Sequence, residues 1–276
     1  RERQELELVE ERVKALHNVK DTIKREDQDG VPRQLLSLET SGKHVTAAVA
    51  QGNVDTAAHV GVVVPGLYSN VAENLDDYDK RAGIMRENVQ KHAPGEGVAI
   101  VSYLGYEAPQ NLAEVADIGY ARRGADKLSG FLNGLDASRE AGPAGDAHIS
   151  VAGHSFGSTT AGIALTKVNP GVVDDLIQFG SPGSGVQDVS EFKLEKGHAW
   201  VSATDYKQDM VQGIGDDGRF GKNPAKMPGY NHLSGDVGDE IDKSQPYPFQ
   251  KHGGYFNKDS KALDDISRVI AGRGKK

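Results

Sequence analysis

The stretch that decides the fold is His148-Ile149-Ser150-Val151-Ala152-Gly153-His154-Ser155-Phe156-Gly157, followed by small and then apolar residues over 158–165. Its first five residues predict a short buried strand, and the residues after Gly157 predict a helix packed on a sheet. A G-x-S-x-G pattern between strand and helix is typical of a sharp turn that exposes a serine hydroxyl. The two glycines carry no Cβ atoms, so we expect Ser155 to hold a strained conformation with its Oγ exposed.

Strands and helices alternate on both sides of this turn. Apolar runs predict buried strands at 59–64, 98–103, 176–179 and 199–203, and helical patterns lie at 70–91, 112–135 and 261–270. Before them, Leu36 and Leu38 alternate with polar residues, and Ser41-Gly42-Lys43 turns the chain back, which predicts a hairpin. This order predicts a mostly parallel sheet with helices on both faces and an antiparallel N-terminal edge hairpin. The stretch 213–250, rich in Gly, Asp, Pro and Lys, is predicted to be a long loop.

The first thirty residues have a pattern of their own. Apolar residues recur there at helical spacing until Asp29-Gly30-Val31-Pro32 ends the pattern; they are Leu6, Val9, Val13, Leu16 and Ile23. We therefore divide the chain into an N-terminal amphipathic helix, 1–30, and a main domain, 31–276. A helix this polar is marginal alone in water, so we expect its apolar stripe to be buried against the main domain, a protein partner or a second copy.

Composition excludes several classes of function. The 276 residues include 32 Lys and Arg against 40 Asp and Glu, a net charge of −8, which argues against binding to nucleic acid or an anionic membrane. The chain contains no cysteine, which excludes disulfides and a cysteine nucleophile. No run approaches ~18 consecutive apolar residues, so no transmembrane segment is predicted. The missing initiator Met indicates a trimmed N-terminus and leaves a cytoplasmic or secreted location in a bacterium open.

A serine at such a turn needs a general base, which in proteins of this design is a histidine late in the chain. Three histidines follow Ser155, namely His198, His232 and His252. His198 precedes its strand, which would place it at the opposite end of the sheet. His232 lies within the long polar loop. We predict that His252 is the base, because it precedes the final helix and two following glycines allow the backbone to approach closely.

The remaining parts of the predicted site are an acid and two oxyanion donors. Asp205 and Asp209 both follow the last predicted strand. We favour Asp209, because the apolar pair that follows it could bury the carboxylate beside the histidine, where it orients the imidazole. The oxyanion donors are backbone N–H groups in this design, and we expect those of Phe156, after the serine, and of Leu67, in the loop after the first parallel strand.

The chain resembles the actinobacterial α/β-hydrolases catalogued as DUF1023. The resemblance covers about residue 33 to the end and rests on four stretches, at 55–66, 153–158, 179–183 and 252–256. It implies an α/β-hydrolase fold and a serine hydrolase, and it supplies no substrate. Phe179-Gly180-Ser181-Pro182 is also similar to a strand end in class 3 lipases, where an Asp-x-Val follows. Asp209-Met210-Val211 matches that piece and favours Asp209, although Asp-Pro-Val is more usual.

These observations predict a serine esterase or lipase-like acyl hydrolase that works through an acyl-serine intermediate on a small-molecule or lipid ester. We expect no cofactor, and no metal site is predicted because the chain has no H-E-x-x-H or comparable ligand spacing. The alternative is a non-enzymatic or secretion-linked binding module on a hydrolase scaffold, with the N-terminal helix as the surface for a protein partner or for self-association.

Overall fold

The computed structural model describes residues 2–275, which form one eight-stranded sheet covered by helices on both faces. Along the sheet the strand order is β1-β2-β4-β3-β5-β6-β7-β8. The strands from β4 to β8 run parallel, and β1 and β2 form the antiparallel edge. The predicted α/β architecture is therefore confirmed. The strands are β1 Arg33–Glu39, β2 Thr46–Gln51, β3 His59–Val64, β4 Val98–Leu104, β5 His148–His154, β6 Asp175–Phe179, β7 Ala199–Ser202 and β8 Asn231–His232.

The helices divide the apolar residues into two cores, one on each face of the sheet. In β3, Val62 packs in the core under α5 and α6, and the next residue, Val63, packs in the core under α3 and α8. This alternation is the period of two that a buried strand requires. The helices are α1 Glu2–Ile23, α2 Glu26–Asp29, α3 Val71–His92, α4 Leu112–Val115, α5 Gly119–Ala141, α6 Phe156–Leu165, α7 Asp217–Phe220 and α8 Lys261–Ile270.

Two predicted elements differ in detail from the structure. The single helix predicted at 112–135 is interrupted between α4 and α5, where the Asp117 carboxylate accepts a hydrogen bond from the Gly119 N–H at 2.8 Å. The stretch 213–250 is not entirely loop, because it contains α7 and the two-residue strand β8. His232 lies on β8, beside Val201 of β7, and is exposed. No helix among the described residues is both long and apolar enough to cross a membrane.

The edge strand β1 departs from the predicted alternation. Its pairing with β2 shifts register between Leu35 and Ser37, which leaves Leu36 as an extra residue. Leu36 packs on one core, whereas Leu38 is exposed. The expectation that both leucines share one face is therefore wrong, because a bulge of one residue exchanges the faces of all side chains beyond it.

The N-terminal helix packs on α3, but through a face other than the predicted one. The buried residues of α1 are Ala15, Val19 and Thr22, which are spaced by four and three residues and form a narrow contact face. The apolar stripe is therefore not buried against the main domain, and of the expected alternatives a protein partner or a second copy remains. The exposed stripe comprises Leu6, Val9, Val13 and Leu16.

Candidate active site

The turn between β5 and α6 holds Ser155 in a strained conformation. Ser155 has φ of 56° and ψ of −134°, a combination that non-glycine residues rarely adopt and that costs on the order of 1–3 kcal/mol. Hydrogen bonds fasten the turn on both sides. The Ser155 N–H donates to the carbonyl oxygen of Phe179 at 3.1 Å, and the Ser158 hydroxyl donates to that of Ser155 at 2.6 Å. The serine thus stands at the carboxyl edge of the sheet with a fixed backbone.

The loop after β3 lies directly against this turn. A Cβ atom on Gly66 would lie 2.8 Å from the Phe156 nitrogen and 3.1 Å from the Ser155 Cβ, so only glycine fits there. The next residue, Leu67, therefore lies beside the serine. Its N–H donates to no group in the part of the chain that the structure describes. Phe156 begins α6, and the N–H groups of a first turn have no acceptor within their helix.

Tyr68 holds the other end of this loop. Its φ of 64° is positive, and its N–H donates to the carbonyl oxygen of Pro109 at 2.9 Å. The Ser69 N–H donates back to the carbonyl oxygen of Gly66 at 3.2 Å. These bonds close the loop into a tight turn around Leu67.

The structure brings Asp209 and His252 together. The Nδ1 atom of His252 lies 3.0 Å from Oδ1 of Asp209, whose side chain is fully buried while 21% of the histidine side chain is exposed. A carboxylate only accepts hydrogen bonds, so Nδ1 carries a proton, and the tautomer of the uncharged ring is the one with the lone pair on Nε2. This is the tautomer that a general base next to a serine needs.

Two further donors satisfy the buried carboxylate of Asp209. The Val211 N–H donates to Oδ1 at 3.1 Å, and the Tyr255 hydroxyl donates to Oδ2 at 3.4 Å. Burial, together with the nearby charge of Asp209, raises the pKa of Tyr255, so its hydroxyl stays protonated as a donor. The alternative acid, Asp205, accepts a hydrogen bond from the Lys207 N–H at 2.8 Å and is exposed, so it serves the turn after β7.

His154 is a part of the site that sequence reasoning did not select. This buried histidine stacks on the imidazole of His252, with ring centroids 4.6 Å apart and planes at 30°. Its Nε2 donates to the carbonyl oxygen of His252 at 2.8 Å. Burial, and then the neighbouring His252, holds the pKa of His154 well below its usual value, so the ring is neutral. Its place inside the G-x-S-x-G pattern was the one signal available in the sequence.

The imidazole of His252 lies above the serine turn. Its Cε1 is 3.1 Å from the position that a Cβ atom on Gly180 would occupy, and Gly180 follows the strand next to β5. No hydrogen bond joins the Ser155 hydroxyl to His252 among the described residues. The other two late histidines lie elsewhere: His198 is beside Asp175 and His232 is on β8.

An apolar wall adjoins the serine turn. Phe156 and Phe220 meet edge to face, with ring centroids 6.3 Å apart, and Ala121 of α5 packs against them. Within residues 2–275, no three His, Cys, Asp or Glu side chains are grouped so that they could hold a metal ion. The arrangement can supply a serine hydroxyl as a nucleophile, an imidazole whose Nδ1 is held by a carboxylate, and backbone N–H groups as donors.

The comparison with protein families agrees with this architecture. Residues 41–216 match the family model described as alpha/beta hydrolase. The chain belongs to the alpha/beta hydrolase family. This membership supports a hydrolase activity.

Two relatives from Mycobacterium tuberculosis are similar to this alpha/beta hydrolase, and both are described as uncharacterized. One is 34% identical over 212 residues, which cover 74% of this chain and 77% of the relative. The second is 27% identical over 250 residues, which cover 83% of this chain and 37% of that longer protein. Among solved structures, an S-formylglutathione hydrolase from Agrobacterium tumefaciens aligns over 89% of this chain and 96% of its own, with a TM-score of 0.50 and 16% identity. That likeness concerns the fold.

Proposed function

We propose that this alpha/beta hydrolase is a serine esterase with Ser155 as nucleophile, His252 as general base and Asp209 as the acid that orients it. The observation that carries the proposal is the 3.0 Å contact between His252 Nδ1 and the buried Asp209, above a serine with φ of 56°. A solvent-facing histidine would not need a fully buried carboxylate with two further donors. The arrangement has the parts of a Ser-His-Asp triad in the chain order Ser, Asp, His.

The reaction follows from these positions. The hydroxyl of Ser155 attacks the ester carbonyl carbon and its proton passes to Nε2 of His252, while Asp209 stabilises the imidazolium. The N–H groups of Phe156 and Leu67 stabilise the oxyanion of the tetrahedral intermediate. The C–O bond to the alcohol then breaks, and the alcohol leaves with the proton from His252. Water attacks the acyl-serine with the same base, and the carboxylic acid is released.

We propose a small-molecule ester as the substrate. The apolar wall of Phe156 and Phe220 supports an apolar acyl group of modest size next to the serine. Exposed apolar side chains on the loops of the same sheet edge, such as Tyr68 and Tyr206, offer further contact area. We also propose that the chain is a member of the actinobacterial group DUF1023, which is supported by its mycobacterial relatives.

Turnover of p-nitrophenyl esters of graded acyl length tests this proposal. We expect hydrolysis by the wild type that disappears in Ser155→Ala and in His252→Ala, prepared in parallel. His232→Ala is the matched control and should retain the wild-type rate, because His232 is exposed on β8. Equal activity of wild type and Ser155→Ala would exclude Ser155 as the nucleophile, and no turnover of any ester would exclude the esterase.

A further inference from the structure

The apolar stripe of α1 is uncovered over its whole length. The exposed fractions are 57% for Leu6, 56% for Val9, 49% for Val13 and 40% for Leu16. Successive residues of a helix turn by about 100°, so the stripe points roughly 130° away from the face of Ala15, Val19 and Thr22 that packs on the domain. A rotation of α1 about its own axis that buried the stripe would therefore expose Ala15, Val19 and Thr22, which now contact the main domain.

Polar contacts also hold α1 in its position on α3. Asn18 donates to the carbonyl oxygen of Ala72 at 2.5 Å, and Lys14 pairs with Glu73 at 2.6 Å. Near the end of the helix, Arg25 pairs with Asp79 at 2.9 Å. These contacts fix the helix rotation, and they direct the stripe outward.

The stripe has the spacing of a coiled-coil seam. Residues 2, 6, 9, 13, 16 and 20 alternate steps of four and three, and all six are exposed. The four central positions are apolar. Glu2 ends the seam on one side and Lys20 ends it on the other, so the seam carries opposite charges at its two ends. Outside the seam, exposed glutamates at 5, 7 and 10 outnumber Arg3 in the first half of α1, whereas Lys14 and Asp21 balance each other in the second half.

We propose that this stripe is the interface with a second copy of the chain, formed by two α1 helices that pack antiparallel about a twofold axis. With the axis near residue 11, Leu6 meets Leu16 of the second copy and Val9 meets its Val13. In the same register Glu2 meets Lys20 of the second copy, at both ends of the seam. The antiparallel arrangement thus satisfies apolar and charged positions together, which is the property of a self-complementary surface.

The charges of Glu2 and Lys20 distinguish a parallel from an antiparallel pair of α1 helices. A parallel pair in register would place Glu2 against Glu2 and Lys20 against Lys20, and such like-charge contacts disfavour the pairing. The antiparallel pair converts both ends into attractive contacts. The antiparallel pairing uses only exposed positions of α1 and does not require its contacts with α3 to change.

The first test is a concentration series of the whole protein in sedimentation velocity. We expect reversible dimerisation of the wild type. Val13→Glu should raise the dissociation constant ~100-fold or more, because the twofold axis buries the unpaired carboxylate twice. Gln4→Glu adds the same charge at an exposed position turned away from the stripe and should leave the dissociation constant unchanged. Thermal unfolding of each variant verifies that α1 remains seated.

The second test exchanges the charges at the ends of the seam. Glu2→Lys alone creates two repulsive contacts in the antiparallel dimer and should raise the dissociation constant ~10-fold. Glu2→Lys combined with Lys20→Glu should restore the wild-type value. A wild type that stays monomeric over the whole series, or a dimer insensitive to Val13→Glu, overturns the interface. A double variant no better than the single one overturns the antiparallel direction.

Discussion

The two edges of the parallel sheet each contain an aspartate that binds histidine, and they use it differently. At the carboxyl edge, Asp209 accepts a hydrogen bond from the Nδ1 atom of one histidine, His252, and no hydrogen bond to the other nitrogen of that ring is found among the described residues. At the amino edge, Asp175 accepts hydrogen bonds from three side chains: His148 at 2.8 Å, His198 at 2.9 Å and Trp200 at 2.7 Å. In our proposal the first aspartate orients the general base, whereas the second links side chains of three neighbouring strands.

The surroundings of the two aspartates explain this difference. The second ring nitrogen of His148 is already engaged, since Nδ1 donates to the carbonyl oxygen of Ile270 at 3.0 Å. Among the described residues the serine with a positive φ is Ser155, and it lies at the other edge, where the turns follow the parallel strands. An Asp–His contact is therefore compatible with catalysis only where one imidazole nitrogen stays open next to a nucleophile.

The largest expected effect separates the two aspartates by activity. Asp209→Asn should lower kcat ~10⁴-fold, because an amide can hold the imidazole in the wrong tautomer and does not stabilise the imidazolium. Asp175→Asn should leave kcat at the wild-type value, since its histidines lie at the opposite edge. Steady-state ester hydrolysis by both variants measures this contrast. An equal loss of kcat in the two variants would contradict a catalytic role confined to Asp209 at the carboxyl edge.

The next effect concerns the loop that carries Leu67. Gly66→Ala should lower kcat ~10²–10³-fold, because the added methyl group meets the Phe156 nitrogen at 2.8 Å and displaces one oxyanion donor. Gly134→Ala on α5 is the matched control, since nothing lies within 4 Å of its Cβ position. Kinetics of the two variants on one ester are the measurement. A fully active Gly66→Ala would remove Leu67 from the oxyanion site.

Local pattern and chain order made much of this molecule predictable. The strand, turn and helix around Ser155 follow from the consecutive residues 148–165. Chain order, with the glycines after His252 and the apolar pair after Asp209, selected the two residues that the structure brings into contact. The stacking of His154 on His252 could not be predicted, because it joins residues 98 positions apart. The face of α1 that contacts α3 could not be predicted either. Ala15 and Thr22 are only weakly apolar, and they are buried because they pack against α3.

At the amino edge the expected effect is on stability. Asp175→Asn should lower the free energy of unfolding by about 3 kcal/mol, because it leaves buried donors without their charged acceptor. Burial alone would raise the pKa of Asp175, but the hydrogen bonds from His148 and Trp200 outweigh it and hold that pKa below its usual range. Burial would lower the pKa of His148, but its contact with Asp175 outweighs it and raises that pKa.

These two shifts give the stabilisation a pH window. The contribution of Asp175 is present above about pH 4 and is lost as the pH falls through its lowered pKa. The contribution of His148 is present below about pH 6.5 and is lost as the pH rises through its raised pKa. Urea unfolding of wild type and Asp175→Asn should therefore differ most between these values. A difference independent of pH would contradict the charged pair.

The smallest expected effect is on kcat and concerns His154 at the carboxyl edge of the sheet. His154→Phe keeps a ring against His252 but removes the donor to its carbonyl oxygen, and it should lower kcat ~10-fold with little change in KM. His154→Gln restores a donor and should recover most of the rate. If His154→Phe instead lowered only the melting temperature, His154 would contribute to folding and not to the position of the base.

Labelling by a fluorophosphonate probe, located by mass spectrometry, tests the central claim most directly. We predict one label on the folded wild type, at Ser155, with an unchanged rate in Asp175→Asn and a rate reduced ~10³-fold or more in His252→Ala. Folded protein that takes up no label would contradict the serine hydrolase and favour the binding module. A label that persists in Ser155→Ala would contradict the assignment of the nucleophile.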